Sequence, residues 1–581
     1  MFSEPVPRIL AGVAVAACLS VAPALGQSAE RLSEQREQYD AERAKSILEL
    51  QPFRQETSVT LPALNERARL ISLSPASNAW FLLLIGEDGA RNQQAYHIEN
   101  PDPKGQTLAL ADGPAPALVI TGQAGVARCA PWAGEAPQLA GARDSGLPYA
   151  PICDGQLYLL NKVSGARTSL ERTTDFLRDN VWGGEDVVRF IRDSFFKDAF
   201  AESGKVLAEE GTIRPEDATG IAPARSDHAV ITTELGLGLS GARSGQMAMG
   251  LWYPVAGLDG VYASAIKPKA ISPEIFAGPG KINRLDGVEA GANDYMVAFD
   301  LSRFDLGFAL GTDHPRLDWS PRPPASVRNG WLPGPDGVAS SAPLVRVGMV
   351  SPALTGRTVA AFTAGFKRQH GAFKWGPFAT VNHGSHYGFI EQGVIFSKLQ
   401  PGLSTIYVLD DGTIGMKTWE SADDALLSRI RFARQNGVPL LEADPETGLG
   451  VPGDLVTNWG PGNWSGSADV QLRTLRAGAC MLESGGKRLL VYGYFSTATP
   501  SAMARTFQAY GCRYAMLLDM NALEHTYLAL YVRQGGKVHV EHLMPGMNVI
   551  DKKGAGGSVI PRFLGFPDNR DFFYLTRREG D

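Results

Sequence analysis

Residues 511–527 read GCRYAMLLDMNALEHTY. An apolar run from Tyr514 to Leu518 stops at Asp519, and Asn521, Glu524 and His525 follow closely. A carboxylate at the end of a buried strand, with a second carboxylate and an imidazole just after it, offers the groups that proton transfer and stabilisation of a developing cation require. Asp519 is the first candidate for such chemistry. Glu524 and His525 could supply a second acid or base, or stand as solvated residues of a plain polar turn.

The histidines form two close pairs, His383 with His386 and His539 with His542. Neither pair has the H-E-x-x-H spacing of a zinc site. In a strand, His539 and Glu541 share a face and His542 points away. No metal ligand set is expected. The stretch GAGGS at 554–558 lacks the Lys-Ser/Thr ending of a phosphate-binding loop, no G-x-S-x-G elbow surrounds Ser385 or Ser465, and no dinucleotide fingerprint follows a strand. No cofactor is expected. His370, His383 and His386 lie in a loop-like stretch with Lys367, Arg368, Trp375 and Tyr387, a mixture of aromatic and polar groups that suits a sugar.

The elements that must position these residues are mostly short strands. The 581 residues include 65 glycines and 38 prolines, which favours turns over long helices. STIYVLDDGTIGMKTW (404–419) reads as a hairpin around Asp411-Gly412, and ACMLESGGKRLLVYGYF (479–495) as a second around Gly485-Gly486. Thr499-Pro500 reads as an N-cap with proline at the first helical position, and Gly511 as the residue that ends that helix. A strand, RYAMLLD, follows. Residues 488–519 therefore read as strand–helix–strand, which predicts parallel neighbours joined by a right-handed crossover. The expected fold class is α+β: a strand-rich mixed sheet with a few packed helices in the C-terminal domain.

Upstream, residues 27–56 are highly charged and read as an exposed helical spacer. Residues 57–165 carry WFLLLIG, PALVITG and GQLYLLN, short apolar runs that predict a small β-rich module. Residues 166–225 hold a helical period (Phe176, Val181, Val187, Val188, Ile191, Phe195) and a charged linker. Residues 226–581 form the last and largest domain, with 314–345 as a long surface loop.

The formal net charge is −6 and no Lys/Arg block occurs, so nucleic acid is not an expected partner. Residues 1–26 have the shape of a secretory signal: Arg8, a short apolar stretch, then small residues before Gln27. That stretch is too short to span a bilayer. A second reading makes Val15-Ala16-Ala17-Cys18 a lipobox, with Cys18 as a lipid anchor. Either way the mature chain is expected to be periplasmic or secreted, with no transmembrane segment. Four further cysteines suit an oxidising compartment. Neighbour pairing gives Cys129–Cys153 and Cys480–Cys512; buried free thiols are the alternative.

The C-terminal half resembles the phosphodiester glycosidase family over residues 230–550. The family's A-I-N-G-G-F-F strand is matched by Ala361-Phe362-Thr363-Ala364-Gly365-Phe366, and its G-x-x-x-x-G segment by Gly388 to Gly393. A D-G turn falls at Asp411-Gly412, and the family's Arg at the start of a hairpin at Arg476-Ala477-Gly478. The closing L-D-G-G-G-S is matched by Leu518-Asp519-Met520-Asn521-Ala522, in which the glycines are replaced, and Thr363 stands for the family's Asn. The resemblance implies an exported protein that hydrolyses a sugar-1-phosphodiester in an envelope or extracellular glycan. Asp519, with Glu524, would act at the anomeric centre, since glycosidic cleavage develops oxocarbenium character. Arg476 would hold the phosphate by its two-pronged guanidinium, and Thr363, Lys367, His370, His525 and Asn521 would contact substrate. The alternative is a non-catalytic glycan-binding or envelope scaffold protein built on a degenerate glycosidase-like domain.

Overall fold

A computed structural model of the chain describes residues 29–87, 89, 92–180, 198–208, 219–225, 229–373, 376–380, 386–457 and 472–579. The signal or lipobox stretch with Cys18, Trp375, His383, and the helical period beyond Asn180 lie outside these residues.

The centre is an eight-stranded sheet. Its order is Tyr253–Pro254, Val261–Ile266, Asp294–Asp300, Lys487–Ala498, Thr474–Ser484, Tyr514–Met520, Leu441–Ala443 and Gly450–Pro452. A five-stranded sheet runs Phe304–Ala309, Phe572–Arg577, Thr358–Thr363, Leu528–Gln534 and Lys537–His542. A second five-stranded sheet contains the predicted hairpin Ser404–Leu409/Ile414–Thr418 together with Ile430–Gln435. Tyr295, Phe362, Tyr492, Phe507 and Leu575 belong to the single large core these sheets share.

This corrects the expected fold class. Among the described residues every ladder between strands of these sheets is antiparallel, so the sheets are not mixed, and helices are few. The expected parallel neighbours, Lys487–Ala498 and Tyr514–Met520, are separated by Thr474–Ser484, which pairs antiparallel with both. The reason is local. The tight turn at Gly485-Gly486 folds Thr474–Ser484 against Lys487–Ala498 before the helix is reached, and that slot is then taken. The helix Pro500–Ala509 has its expected cap, Thr499 Oγ1 accepting from Ala502 N, and Gly511 has positive φ just past its end. The chain then returns to the far edge of Thr474–Ser484, where Cys480–Cys512 fastens the return.

The six-stranded sheet of residues 55–160 sits between two cores. In Trp80–Ile85, residues Trp80, Leu82 and Leu84 face the large core, while Phe81, Leu83 and Ile85 face a smaller one closed by Cys129–Cys153. A strand buried on both faces reads as an unbroken apolar run, which is what WFLLLI is. Two expectations of exposure are also corrected. After the helix Ala29–Asp40, Ala44, Ile47 and Leu50 are buried in the large core, because this charged stretch carries apolar residues at spacings that let it seat. Within 314–345, His314, Leu317, Asp336 and Leu344 are buried.

His97 locks the six-stranded sheet to the segment around Val345. Its Nδ1 accepts from Val345 N at 3.0 Å and its ring meets Trp80 edge-on. Burial drives its pKa down to about 3. The unfolded chain, with His97 near 6.5, therefore binds more protons than the native chain between these values, and stability falls as pH drops through that window. The expected contribution to the slope is about 1.4 kcal/mol per pH unit. Urea unfolding of wild type and His97→Asn between pH 6 and 4 checks it: the variant keeps an acceptor and should lose that part of the slope. Equal slopes would rule His97 out as the source.

Candidate functional site

Asp519 is the penultimate residue of the strand Tyr514–Met520. The neighbouring strand Leu441–Ala443 pairs with it only at Ala515. Beyond that point Asn436 Nδ2 satisfies the carbonyls of Leu517 and Leu518 at 2.8 and 3.2 Å. The open edge past Leu518 is filled by the loop Asp568-Asn569-Arg570-Asp571, which leads into Phe572–Arg577. All four loop residues are at most 4% exposed. Buried polar groups persist only when paired, and each of these four is.

Asp568 takes both prongs of Arg562, Nε at 2.8 Å and Nη2 at 3.1 Å. Asn569 Nδ2 donates to Glu171 Oε1 at 2.8 Å. Arg570 donates Nη2 to the same oxygen at 3.0 Å and pairs through Nη1 with Asp519. Asp571 meets Arg434 Nε at 2.6 Å and His314 Nδ1 at 3.0 Å. Two glycines make room here, one against the loop backbone and one against side chains. A Cβ at Gly348, whose φ is +72°, would stand 2.1 Å from the Asp568 carbonyl oxygen. One at Gly365 would stand 2.8–2.9 Å from Asn436 and Arg434.

Glu171 comes from the first turn of the helix Ser169–Asn180. Its Oε1 also lies 3.0 Å from Lys367 Nζ, so two cations converge on one carboxylate oxygen. Burial alone would raise its pKa, but Arg570 and Lys367 outweigh burial and hold the group far below the usual carboxylate range. Lys367 reaches Asp313 as well, at 3.7 Å, and Arg167 Nη2 pairs with Asp313 at 2.5 Å.

Glu524 and His525 complete the cluster. Thr168 Oγ1 donates to Glu524 Oε1 at 3.1 Å. The Glu524 carbonyl accepts from Arg562 Nη1 at 2.7 Å and from Thr363 Oγ1 at 3.2 Å. Burial opposes ionisation of Glu524, yet the nearby His525 and Arg570 bring its pKa below normal. His525 Nδ1 lies 2.7 Å from the Met520 carbonyl and so carries the proton. Its shielded Nε2 has no partner among the described residues. Burial, then Arg570, lowers its pKa, which keeps the ring neutral at neutral pH.

The cluster backs onto a cleft of about 740 Å³. Lys367, Asp313 and Arg167 of the cluster line it. Lys162, Arg316 and Arg346 also line it, against one further acid, Asp318. Cations thus outnumber acids along the cleft, which favours an anionic guest.

Of the residues singled out from sequence, Asp519, Glu524, His525, Thr363 and Lys367 come together. Arg476 does not join them. It is buried inside the central sheet, where its guanidinium donates to the carbonyls of Ala498 and Leu472 at 2.8 and 2.9 Å and lies against Met520 Sδ. Asn521 has φ +79° and accepts from Thr474 Oγ1 at 3.1 Å, away from the cluster. His370 lies in the short helix Arg368–Gly371 directly after Lys367. His386 is buried against Asp336 at 2.9 Å, and His542 pairs with Asp551 at 3.0 Å. Among the described residues no group of three His, Cys, Asp or Glu is placed to hold a metal ion, and no helix is long and apolar enough to cross a membrane. Sequence reasoning missed Glu171, Arg570, Asn569, Asp313 and Arg167. The signal for two of them was DNRD itself, four polar residues directly before the apolar strand FFYLT.

No family model and no curated protein matches the chain. Among solved structures, the catalytic domain of zebrafish N-acetylglucosamine-1-phosphodiester alpha-N-acetylglucosaminidase, auto-inhibited by its pro-peptide, is similar at 11% identity and a TM-score of 0.26. The match covers 56% of this chain and 85% of that one. A likeness of this size is distant and transfers no residue roles.

Arg570→Met removes the cation shared by two buried carboxylates. It should cost about 3–5 kcal/mol. Urea denaturation at pH 7 measures this, and Glu171→Gln added to the same chain should recover part of the loss. An unchanged midpoint for Arg570→Met would mean that the pairs contribute nothing net.

Proposed function

We propose that this chain is an exported glycan-processing hydrolase that cleaves the glycosidic bond of a sugar-1-phosphodiester. One observation carries the reading: Lys367 and Arg570 both grip Glu171 Oε1 at 3.0 Å, behind a cleft whose charged lining residues are mostly cations. A carboxylate oxygen held this way stands in for a phosphate oxygen. The substrate's phosphate would take the place of Glu171, exchanging one anion for another, and the first turn of Ser169–Asn180 would withdraw. Residues 226–581 would then carry the reaction, and 166–225 the segment that reaches into it.

Asp519, held on Arg570, is the carboxylate assigned to the oxocarbenium-like centre. His525 Nε2 has a free lone pair and accepts a proton from the attacking water. The water oxygen bonds to the anomeric carbon, and the bond from that carbon to the phosphate oxygen breaks with its electron pair. The products are a free sugar and a phosphomonoester. A phosphate leaves without strong acid help, which suits a cluster whose carboxylates Glu171, Glu524 and Asp313 are all held below their usual pKa values. The two disulfides support an oxidising compartment for the mature chain.

A second reading, glycan binding or scaffolding without turnover, is favoured by closure of the cluster: Asp519 is only 5% exposed. Sugar release from a panel of sugar-1-phosphodiesters, N-acetylglucosamine-1-phospho compounds among them, separates the two. Hydrolysis should fall by about two orders of magnitude or more in Asp519→Asn and rise in Glu171→Gln, which loosens the occupant of the cradle. Absence of turnover in both wild type and Glu171→Gln would leave the binding reading in place.

A further inference from the structure

A second cleft, of about 630 Å³, lies where the turn at 101–105, from the six-stranded sheet, faces Phe304–Ala309, Phe572–Arg577 and Ile430–Gln435. This volume is in the range of small-ligand sites, about 300–1,000 Å³. None of Asp519, Glu524, Glu171 or Lys367 lines it.

Arg431 is the polar centre of this cleft. Its Nε donates to Gln392 Oε1 at 2.9 Å and its guanidinium lies 5.1 Å from the centre of the Phe432 ring, but its two Nη groups have no hydrogen-bond partner among the described residues. Its charge lies close enough to act on both Glu99 and Tyr574. Three cations, Lys104, Arg357 and Arg431, face four acids, Glu99, Asp102, Asp305 and Glu579. Arg357 is paired with Glu579 and lies 4.0 Å from Asp305, and its Nε and Nη2 donate to the Arg577 carbonyl, while Lys104 and Asp102 are exposed on the turn, Asp102 accepting from Gly105 N. Glu99 has both oxygens engaged, by Ser351 Oγ and by Trp80 Nε1. The balance of charge therefore does not select an anion, unlike the cleft behind Lys367. The groups left for a guest are the fork of Arg431, the ammonium of Lys104, the amides of Gln392 and Gln123, and the half-buried ring of Tyr158. Planar polar groups beside an aromatic ring satisfy hydroxyls on the edge of a pyranose while the ring covers its C–H face.

We propose that this cleft binds a neutral oligosaccharide segment, so that residues 57–165 and the C-terminal sheets hold a glycan between them. The proposal does not depend on hydrolysis at Asp519. Full-length mature protein is titrated calorimetrically with chitohexaose, cellohexaose and maltohexaose. At least one should bind with a Kd below about 5 mM. Arg431→Gln and, independently, Gln123→Trp should each weaken that binding about tenfold or more. Gln123 is exposed, so the tryptophan fills the cleft without disturbing the core. Asp519→Asn should bind as wild type does. The proposal is overturned if none of the three sugars binds, if Gln123→Trp binds normally, or if Asp519→Asn abolishes binding.

Discussion

Four consecutive polar side chains, Asp568 to Asp571, enter the interior just ahead of a strand whose own residues are mostly apolar. Removing even one ionised group from water costs several kcal/mol unless a counter-charge and hydrogen bonds replace the solvent. Here three charged groups and an amide are removed together. The requirement can be met only by groups that the rest of the chain brings to this place, and they come from far apart in sequence: Glu171, His314, Arg434, Asp519 and Arg562. Several of these partners fix different elements. Arg434 lies on one five-stranded sheet, Asp519 on the central sheet, and Glu171 on a helix outside both. The loop therefore works as a hub that sets how the sheets meet.

The hub also explains why the segment before the helix Ser169–Asn180 crosses the site. Gly165 N donates to Thr312 Oγ1, and Ala166 forms a parallel bridge with Asp568. Arg167, Thr168 and Glu171 then reach Asp313, Glu524 and the Lys367–Arg570 pair in turn. The segment has little apolar surface of its own here. Its attachment is electrostatic, and an attachment made of ion pairs can be exchanged for another anion at far lower cost than a packed apolar contact, because the new anion restores the same pairs.

Local features were the most legible part of the sequence. The hairpins at 404–418 and 474–498, the Thr499 cap and the strand that carries Asp519 follow from turn residues and apolar alternation within a few positions. Sheet order was not, because it depends on which edge is free when the chain returns. The turn at Gly485-Gly486 had already filled the slot that the strand–helix–strand pattern offers. Arg476 shows a related limit. An arginine at the start of a hairpin reads the same whether its guanidinium faces a ligand or satisfies backbone carbonyls, and here it does the latter. The arginine beside Asp519 is Arg570. Its sequence neighbours Asp568 and Asp571 mark it as part of a paired loop, but nothing local says that Glu171, from a helix far back in the chain, would be its second partner.

The two clefts differ in a way that bears on how one chain could handle a phosphorylated glycan. At Lys367 the positive charge is matched by Glu171 and Asp313, so an anion can reach that ammonium only by displacing one of them. Around Arg431 acids and cations nearly offset one another in number, and the surplus is hydrogen-bonding capacity. Coulombic attraction acts on the phosphate and is screened by salt, whereas the balanced cleft acts on hydroxyls and is not. A sugar-1-phosphodiester carries both kinds of group. Under the two proposals, the neutral part of a glycan would be held at a steady affinity while the charged linkage competes, on its own terms, for the place that Glu171 occupies.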